Sequence, residues 1–412
     1  MTARSGGRPA LERIVVAGGS LAGLRACESL RRHGFEGAIV VLGAERHLPY
    51  DRPPLSKQYL AGAWDRDRLA LIARDKLDAL GLELHLGTAA RGLDLERRTV
   101  LVEGGEEVRF DGLVIATGAT PRRLRDAGEL DGVVTVRSLD DATALHERLA
   151  REGARLAVVG GGFLGMEVAA TARGLGSEVT VIEPLPAPLS RAVGPLVGEA
   201  LAGLHRDHGV QVVCGRSVRA LLGAARVEGV RLDDGAVVPA DVVLVAIGVV
   251  PETGWLAGSG LVLDDGVVCD SALVAAPGVV AAGDVARWPY AHGPAGGRPI
   301  RLEHWTNASE QGVHAGASLL AAPGERSAFG PVPYFWSDHY DVKLQAIGLP
   351  GPDDEVRVVE GSLAERRFVA LYGRAGRLSA ALGVGRPRQL MAFRPLVERG
   401  AAFDEALQHR PG

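Results

Sequence analysis

Gly18, Ser20 and Gly23, and again Gly160, Gly162 and Gly165, each close a short apolar run and open a helical pattern. The two stretches read Arg13-Ile-Val-Val-Ala-Gly18-Gly-Ser20-Leu-Ala-Gly23 and Arg155-Leu-Ala-Val-Val-Gly160-Gly-Gly162-Phe-Leu-Gly165. Small residues at this spacing let the backbone turn tightly, approach an anion closely and pack helix on strand. The free N–H groups at the helix start then attract a pyrophosphate. Each unit continues into a second apolar run with an acidic residue beyond it, Glu45 and Glu183. A carboxylate there accepts hydrogen bonds from a ribose diol and repels a 2′-phosphate. One such unit is a dinucleotide site, and two in one chain point to two dinucleotides and redox chemistry. The second turn fits G-x-G-x-x-G fully, whereas the first has Ser20 at the middle position. Glu183 follows Val179-Thr-Val-Ile182 directly, which predicts NADH over NADPH, with Arg191 downstream softening the preference. Glu45 stands at a longer spacing from its glycines.

The surrounding pattern supplies the elements that must hold these turns. Strand-like runs at 13–17, 38–42, 113–117, 155–159, 178–182, 242–247 and 278–282 alternate with helical stretches. That alternation reads as a parallel α/β fold. Helices are expected over Leu21–His33 and Phe163–Leu175, stopped by Gly34 and Gly176. After about residue 326 the texture changes: Tyr334–Trp336, Val356–Val359 and Phe368–Tyr372 resemble antiparallel strands, and Arg388–Glu398 a helix. This predicts a separate small α+β domain. The Gly/Pro-rich Pro289–Arg301 reads as a loop.

Composition narrows the functional classes. The 412 residues suffice for two or three domains. The net charge of -4 argues against general nucleic-acid binding. No apolar run approaches the ~20 residues of a membrane span. Met1–Leu11 is a short polar tail without the apolar centre of a secretory signal. A cytoplasmic location is expected. Cys27, Cys214 and Cys269 are far apart, so neither a disulfide relay nor a thiolate metal site is supported. The 11 histidines have no metal-ligand spacing, so no metal is expected.

Three further motifs add detail: Leu113-Val-Ile-Ala-Thr117-Gly118-Ala, Ala246-Ile-Gly248-Val-Val-Pro251 and Val279-Val-Ala-Ala-Gly283-Asp284. With the two turns, they resemble the FAD- and NAD-dependent flavoprotein reductases related to glutathione reductase. The branch is legible in Pro49-Tyr-Asp-Arg-Pro-Pro-Leu-Ser-Lys57, Glu303-His-Trp305-Thr-Asn307 and Phe335-Trp-Ser-Asp-His-Tyr340. These are similar to segments of the oxygenase-coupled ferredoxin reductases, and the resemblance spans about residues 12–400 in the same order. Two departures stand out: Ser20 replaces a glycine, and Ala44 occupies a position where many relatives carry Asp.

The resemblance implies two Rossmann-like dinucleotide-binding domains plus a C-terminal α+β domain. Residues 10–115 and 244–326 would form a discontinuous FAD-binding domain, 116–243 the NAD(H)-binding domain and 327–412 the interface domain. It implies flavin-side contacts from Gly18, Ser20, Ala22, Gly23, Glu45, Arg52, Lys57, Ala90, Thr117, Gly118, Arg137, Gly283, Asp284 and Trp305. Nicotinamide-side contacts would come from Gly160, Gly162, Gly165, Glu167, Glu183, Arg191 and Gly248. Lys57, Glu167 and Trp336 are the expected catalytic residues. Glu167 is expected to pair with Lys57 or to bind the nicotinamide carboxamide.

The implied reaction is hydride transfer from NADH to FAD, then single electrons to a small iron–sulfur ferredoxin. That ferredoxin would serve a cytochrome P450 or a ring-hydroxylating oxygenase. Glutathione-reductase relatives pass electrons to a cysteine pair, and here Pro53-Pro54-Leu55-Ser56-Lys57 holds no cysteine. Arg298, Arg301, Arg386 and Arg388 are candidates for a basic ferredoxin dock. Alternatives are a reductase of rubredoxin, quinone or oxygen, and a redox-sensing flavoprotein interaction module.

Overall fold

The run Arg13–Ala17 is buried from Ile14 onward and lies inside a six-stranded sheet. The structure, a computed structural model, describes residues 11–124, 130–292 and 296–410. Residues 1–10 of the N-terminal tail therefore lie outside the described residues. The first sheet has the strand order 274–276, 279–281, 112–115, 13–17, 38–43, 82–86, parallel except at the 274–276 edge. Its strands are β-branched because both faces are covered. Helix Leu21–Arg32 covers one face and packs closely on helix Trp305–Leu320.

The second sheet repeats the plan, in the order 211–214, 178–183, 155–159, 242–245, 133–134, all parallel. Its glycine turn feeds helix Phe163–Gly174. Strand Val242–Val245 pairs wholly within this second sheet, so a domain join between 243 and 244 cuts a strand. A two-stranded antiparallel ribbon, 119–121 with 249–251, links the two nucleotide units.

The third sheet is antiparallel, in the order 334–339, 342–348, 377–384, 367–374, 355–362. Along Tyr334–His339 burial alternates, with Phe335, Ser337 and His339 buried and Tyr334, Trp336 and Asp338 half-buried. The expected helix over 388–398 forms as two short helices, Pro387–Met391 and Arg394–Glu398. Pro395 explains the break, since it has no N–H to donate and its ring clashes with the preceding turn. The expected loop at 289–301 contains a small hairpin, in which Trp288 pairs with Ile300. Residues 293–295 of that loop lie outside the described residues.

Candidate functional site

Each glycine turn is held closed by its own backbone. Gly18 has φ +122°, and a Cβ there would sit 2.1 Å from the Ala116 carbonyl oxygen. A Cβ at Gly23 would sit 1.9 Å from Gly18 O. The second turn repeats both constraints: a Cβ at Gly160 would sit 2.4 Å from Ala246 O, and one at Gly165 2.2 Å from Gly160 O. Only glycine satisfies these positions. At the middle position the demand lapses, because a Cβ on Gly162 meets nothing within 4 Å among the described residues. Ser20 at the matching place in the first turn is therefore accommodated. It caps helix Leu21–Arg32 without a side-chain cap bond, and its Oγ accepts from Arg52 Nε at 3.3 Å.

The first turn opens onto two chambers of ≈ 300 and ≈ 420 Å³ that meet along Ser20, Tyr50, Arg52, Ala116 and Arg137. Gly18, Glu45, Ala90 and Thr117 line the larger chamber, and Ala22, Lys57, Gly118, Gly283, Asp284, Trp305 and Trp336 the smaller. Arg52 spans both: its guanidinium holds Glu45 at 2.6 Å. Tyr50 donates its hydroxyl to the same carboxylate and accepts from Leu139 N at 2.9 Å. Arg137 precedes helix Leu139–Leu149, whose Ser138–Asp141 capping box also takes the Arg137 N–H at 3.0 Å. That box fixes the backbone from which Arg137 reaches Asp284, at 2.9 Å. Trp305 donates its indole N–H to Asp51 at 2.6 Å and meets Trp336 edge-on, with centroids 5.9 Å apart.

The centre of the smaller chamber's wall is an ion pair across the two nucleotide units. Lys57 Nζ lies 2.8 Å from Glu167 Oε2, with the side chains only 11% and 9% exposed. Glu167 belongs to the helix that follows the second turn, and Lys57 to the segment 49–57 after the first unit. Thr171 on the same helix donates to Ser56 O at 2.8 Å and so docks that segment. Ser56 donates to Glu167 Oε2 at 2.6 Å and Ser337 to Oε1 at 2.7 Å. Each of these donors replaces a hydrogen bond to water that burial takes from the carboxylate. Ser56 and Ser337 carry no spacing signal that marks them as partners of Glu167.

Gly160, Gly162 and Gly165 form the second turn, away from the two chambers, while Phe163 and Leu164 beside them line the smaller one. Glu183 is buried, accepting from Gly161 N at 2.7 Å and Leu185 N at 2.9 Å. Arg191 is exposed on helix Ser190–Asp207, and Gly248 makes the ribbon turn with φ +93°. No cysteine lines either chamber. Burial pushes the Cys27 and Cys269 thiols up to about 12. Among the arginines considered for a dock, Arg301 is a correction: its side chain is 9% exposed and ion-paired with Asp265 and Glu303. Arg298 and Arg388 are exposed, and Arg386 is partly buried beside Glu360.

Two nucleotide-type turns meeting at a buried lysine–glutamate pair define a dinucleotide-dependent oxidoreductase. The model of the pyridine nucleotide-disulphide oxidoreductase family matches residues 12–312, and that of a reductase C-terminal domain matches 334–410. The chain belongs to the pyridine nucleotide-disulphide oxidoreductase family. It is 38% identical over 95% of its length to the 5,5'-dehydrodivanillate O-demethylase ferredoxin reductase subunit of a Sphingobium strain, covering 94% of that protein. It is 33% identical to putidaredoxin reductase of Pseudomonas putida, over 96% of this chain and 95% of the other. The crystal structure of the covalent putidaredoxin reductase–putidaredoxin complex superposes with a TM-score of 0.90 at 32% identity, over 97% of this chain and 96% of that one.

The family implies FAD and NAD(P)H, and the residues present fit both. The first turn leaves a helix start and the Ser20 hydroxyl, beside Arg52, at the chambers' junction. His304 lines the smaller chamber with a buried Nδ1 that has no partner among the described residues. Burial keeps this ring neutral, with its pKa pushed down to about 4.

Proposed function

We propose that this protein is an NADH-dependent ferredoxin reductase. It carries FAD and serves a small iron–sulfur ferredoxin of a cytochrome P450 or ring-hydroxylating oxygenase system. The observation that carries the proposal is the Lys57–Glu167 pair, with its Ser56 and Ser337 partners, set in a cleft without thiols. Bound FAD would supply the conversion of a two-electron hydride into single electrons.

The protein's own residues do the rest. The first turn, with Ser20 and Arg52, would take the pyrophosphate, and Asp284 the ribityl hydroxyls. Arg137 would neutralise charge beside Asp284. The second turn would bring the nicotinamide nucleotide in over Phe163 and Glu167, with Glu183 accepting the ribose diol. Lys57 would hold positive charge against the reduced ring. Trp305 and Trp336 would close the chamber edge toward the third domain, and the exposed Arg298 and Arg388 would offer positive charge to an acidic carrier. With unpaired cysteines throughout the described residues, a reducing, cytoplasmic compartment fits.

The test is direct. Purified protein should be yellow, bleach faster with NADH than with NADPH, and reduce cytochrome c only when a ferredoxin is added. A colourless protein that cannot be reconstituted with flavin, or full cytochrome c turnover without any ferredoxin, refutes the proposal.

A further inference from the structure

Behind Glu167 a second polar chain runs between the third domain and the second nucleotide unit. Ser337 and His339 face inward from strand Tyr334–His339, and His205 faces them from helix Ser190–Asp207. All three are buried, at 0%, 1% and 0% exposure. The contacts are Glu167 Oε1 to Ser337 Oγ at 2.7 Å, Ser337 Oγ to His339 Nε2 at 3.0 Å, and His339 Nδ1 to His205 Nε2 at 2.8 Å. His205 Nδ1 then meets the Tyr340 hydroxyl at 3.3 Å. Tyr340 is half-buried, and its ring stacks on the exposed His208, with centroids 3.6 Å apart.

Chemistry fixes where each hydrogen sits. Paired with Lys57, Glu167 is a carboxylate and only accepts. Ser337 must then spend its one hydrogen on Glu167, so it accepts from His339 Nε2–H. Burial keeps both imidazoles neutral, His339 pushed down to about 4 and His205 to about 2. A neutral ring carries one N–H, so His339 Nδ1 accepts from His205 Nε2–H. His205 Nδ1 in turn accepts from Tyr340. Four donors therefore point the same way, from the surface toward Glu167. Tyr340 holds its place at the hairpin in a left-handed backbone conformation, φ 57°, which costs a residue other than glycine some strain.

We propose that Tyr340, His205, His339 and Ser337 form a one-proton wire connecting Glu167 to the protein surface. In one concerted shift the Ser337 proton passes to Glu167 Oε1 and the His339 Nε2 proton to Ser337 Oγ. The His205 Nε2 proton moves to His339 Nδ1, the Tyr340 proton to His205 Nδ1, and water restores the phenol. Each relay group ends with the number of protons it had, and both imidazoles change tautomer. The net change is one solvent proton gained by Glu167 and no electron moved. The reverse shift resets the wire without any ring turning over. Protonation dissolves the ion pair and leaves the Lys57 ammonium free to face the cleft. The relay residues are positioning residues that act through Glu167. The charged and titratable groups facing them are Lys57 beside Glu167, Asp338 with its partner Lys343, His208, and Arg173 near Tyr340.

Neither the acceptor nor the nucleotide preference enters this inference. Its test uses the FAD-loaded protein and the infrared carboxyl band of Glu167, assigned by its loss in Glu167→Gln. After a pH jump, His339→Gln should delay the appearance of that band about a hundredfold, with an unchanged midpoint. Glutamine keeps a donor and an acceptor at this place but cannot pass a proton through an amide. His205→Gln is the second variant and should give the same delay. Nitrogen NMR of labelled histidine should show both buried rings as neutral Nε2–H tautomers. Undelayed protonation in both variants would mean that water reaches Glu167 through the cleft, and a charged or Nδ1–H ring would break the chain. Either result overturns the wire, whereas failure to reduce a ferredoxin leaves it standing and refutes only the proposed function.

Discussion

The two glycine turns share a backbone and differ in how they treat charge. In the first unit Glu45 is 31% exposed and neutralised by Arg52, and Ser20 adds a hydroxyl beside that guanidinium. In the second unit Glu183 is buried, and its two oxygens are held by the backbone N–H groups of Gly161 and Leu185. The first turn is enclosed by Asp284, Arg137, Trp305 and the third domain. Under the proposed function, that difference would suit the first unit to a resident dinucleotide and the second to one that exchanges. It also leaves the Glu183 charge without an ion-pair partner among the described residues, whereas Arg52 neutralises Glu45 in the first unit.

The largest effect expected from breaking this symmetry is at the glycines. Gly160→Ala forces a Cβ onto Ala246 O at φ +105°, where backbone strain and the clash add, and should destabilise the protein by about 5 kcal/mol, read by thermal melting. Gly162→Ser copies the first turn into the second and should change stability by no more than about 0.5 kcal/mol. Equal losses in the two variants would erase the distinction drawn at the middle position.

Next in size is the ion pair between the units. Lys57→Met leaves a buried carboxylate without its cation and should cost about 3–5 kcal/mol. The bleaching rate with NADH should fall in the same variant, and an unchanged rate would remove Lys57 from the reaction. Smaller is the nucleotide choice. Glu183→Gln removes the uncancelled charge and should raise the NADPH-to-NADH ratio of kcat/KM about tenfold, or ~1.4 kcal/mol. Glu45→Gln should leave that ratio alone.

The smallest effect is a pH slope. His304 is held near 4, below its ordinary 6.5, so the unfolded chain binds that proton more tightly than the folded one. The neutral ring's contribution is complete above pH 6.5 and is lost progressively as the pH falls toward 4. Melting temperature across that window should therefore drop with acid, and His304→Gln should flatten part of the slope.

Much of this organisation was readable from residues near one another in the chain. Both turns, their helices and the paired sheets follow from β-branched runs ended by glycine. Lys57, Glu167 and Asp284 stand in motifs whose types already suggest their chemistry. What could not be read are contacts between distant segments. Ser56 and Ser337 reach Glu167 across separations of 111 and 170 residues, and Trp305 reaches Asp51 across 254. Local patterning carries no trace of such pairings, because they are fixed only when three sheets pack. The expected join at 243–244 falls inside strand 242–245, whose sequence looks the same whichever sheet receives it.

Strand Tyr334–His339 sends Ser337 and His339 to one side and Trp336 to the other. With the hairpin pairing set by the turn at Tyr340–Asp341, an insertion or deletion of a single residue within the strand after Ser337 would reverse the sides of the residues before it. The glutamate would lose its serine while the indole turned away from Trp305. Descendants of this protein can thus retune its outer edge by substitution, but length changes at that hairpin are closed to them.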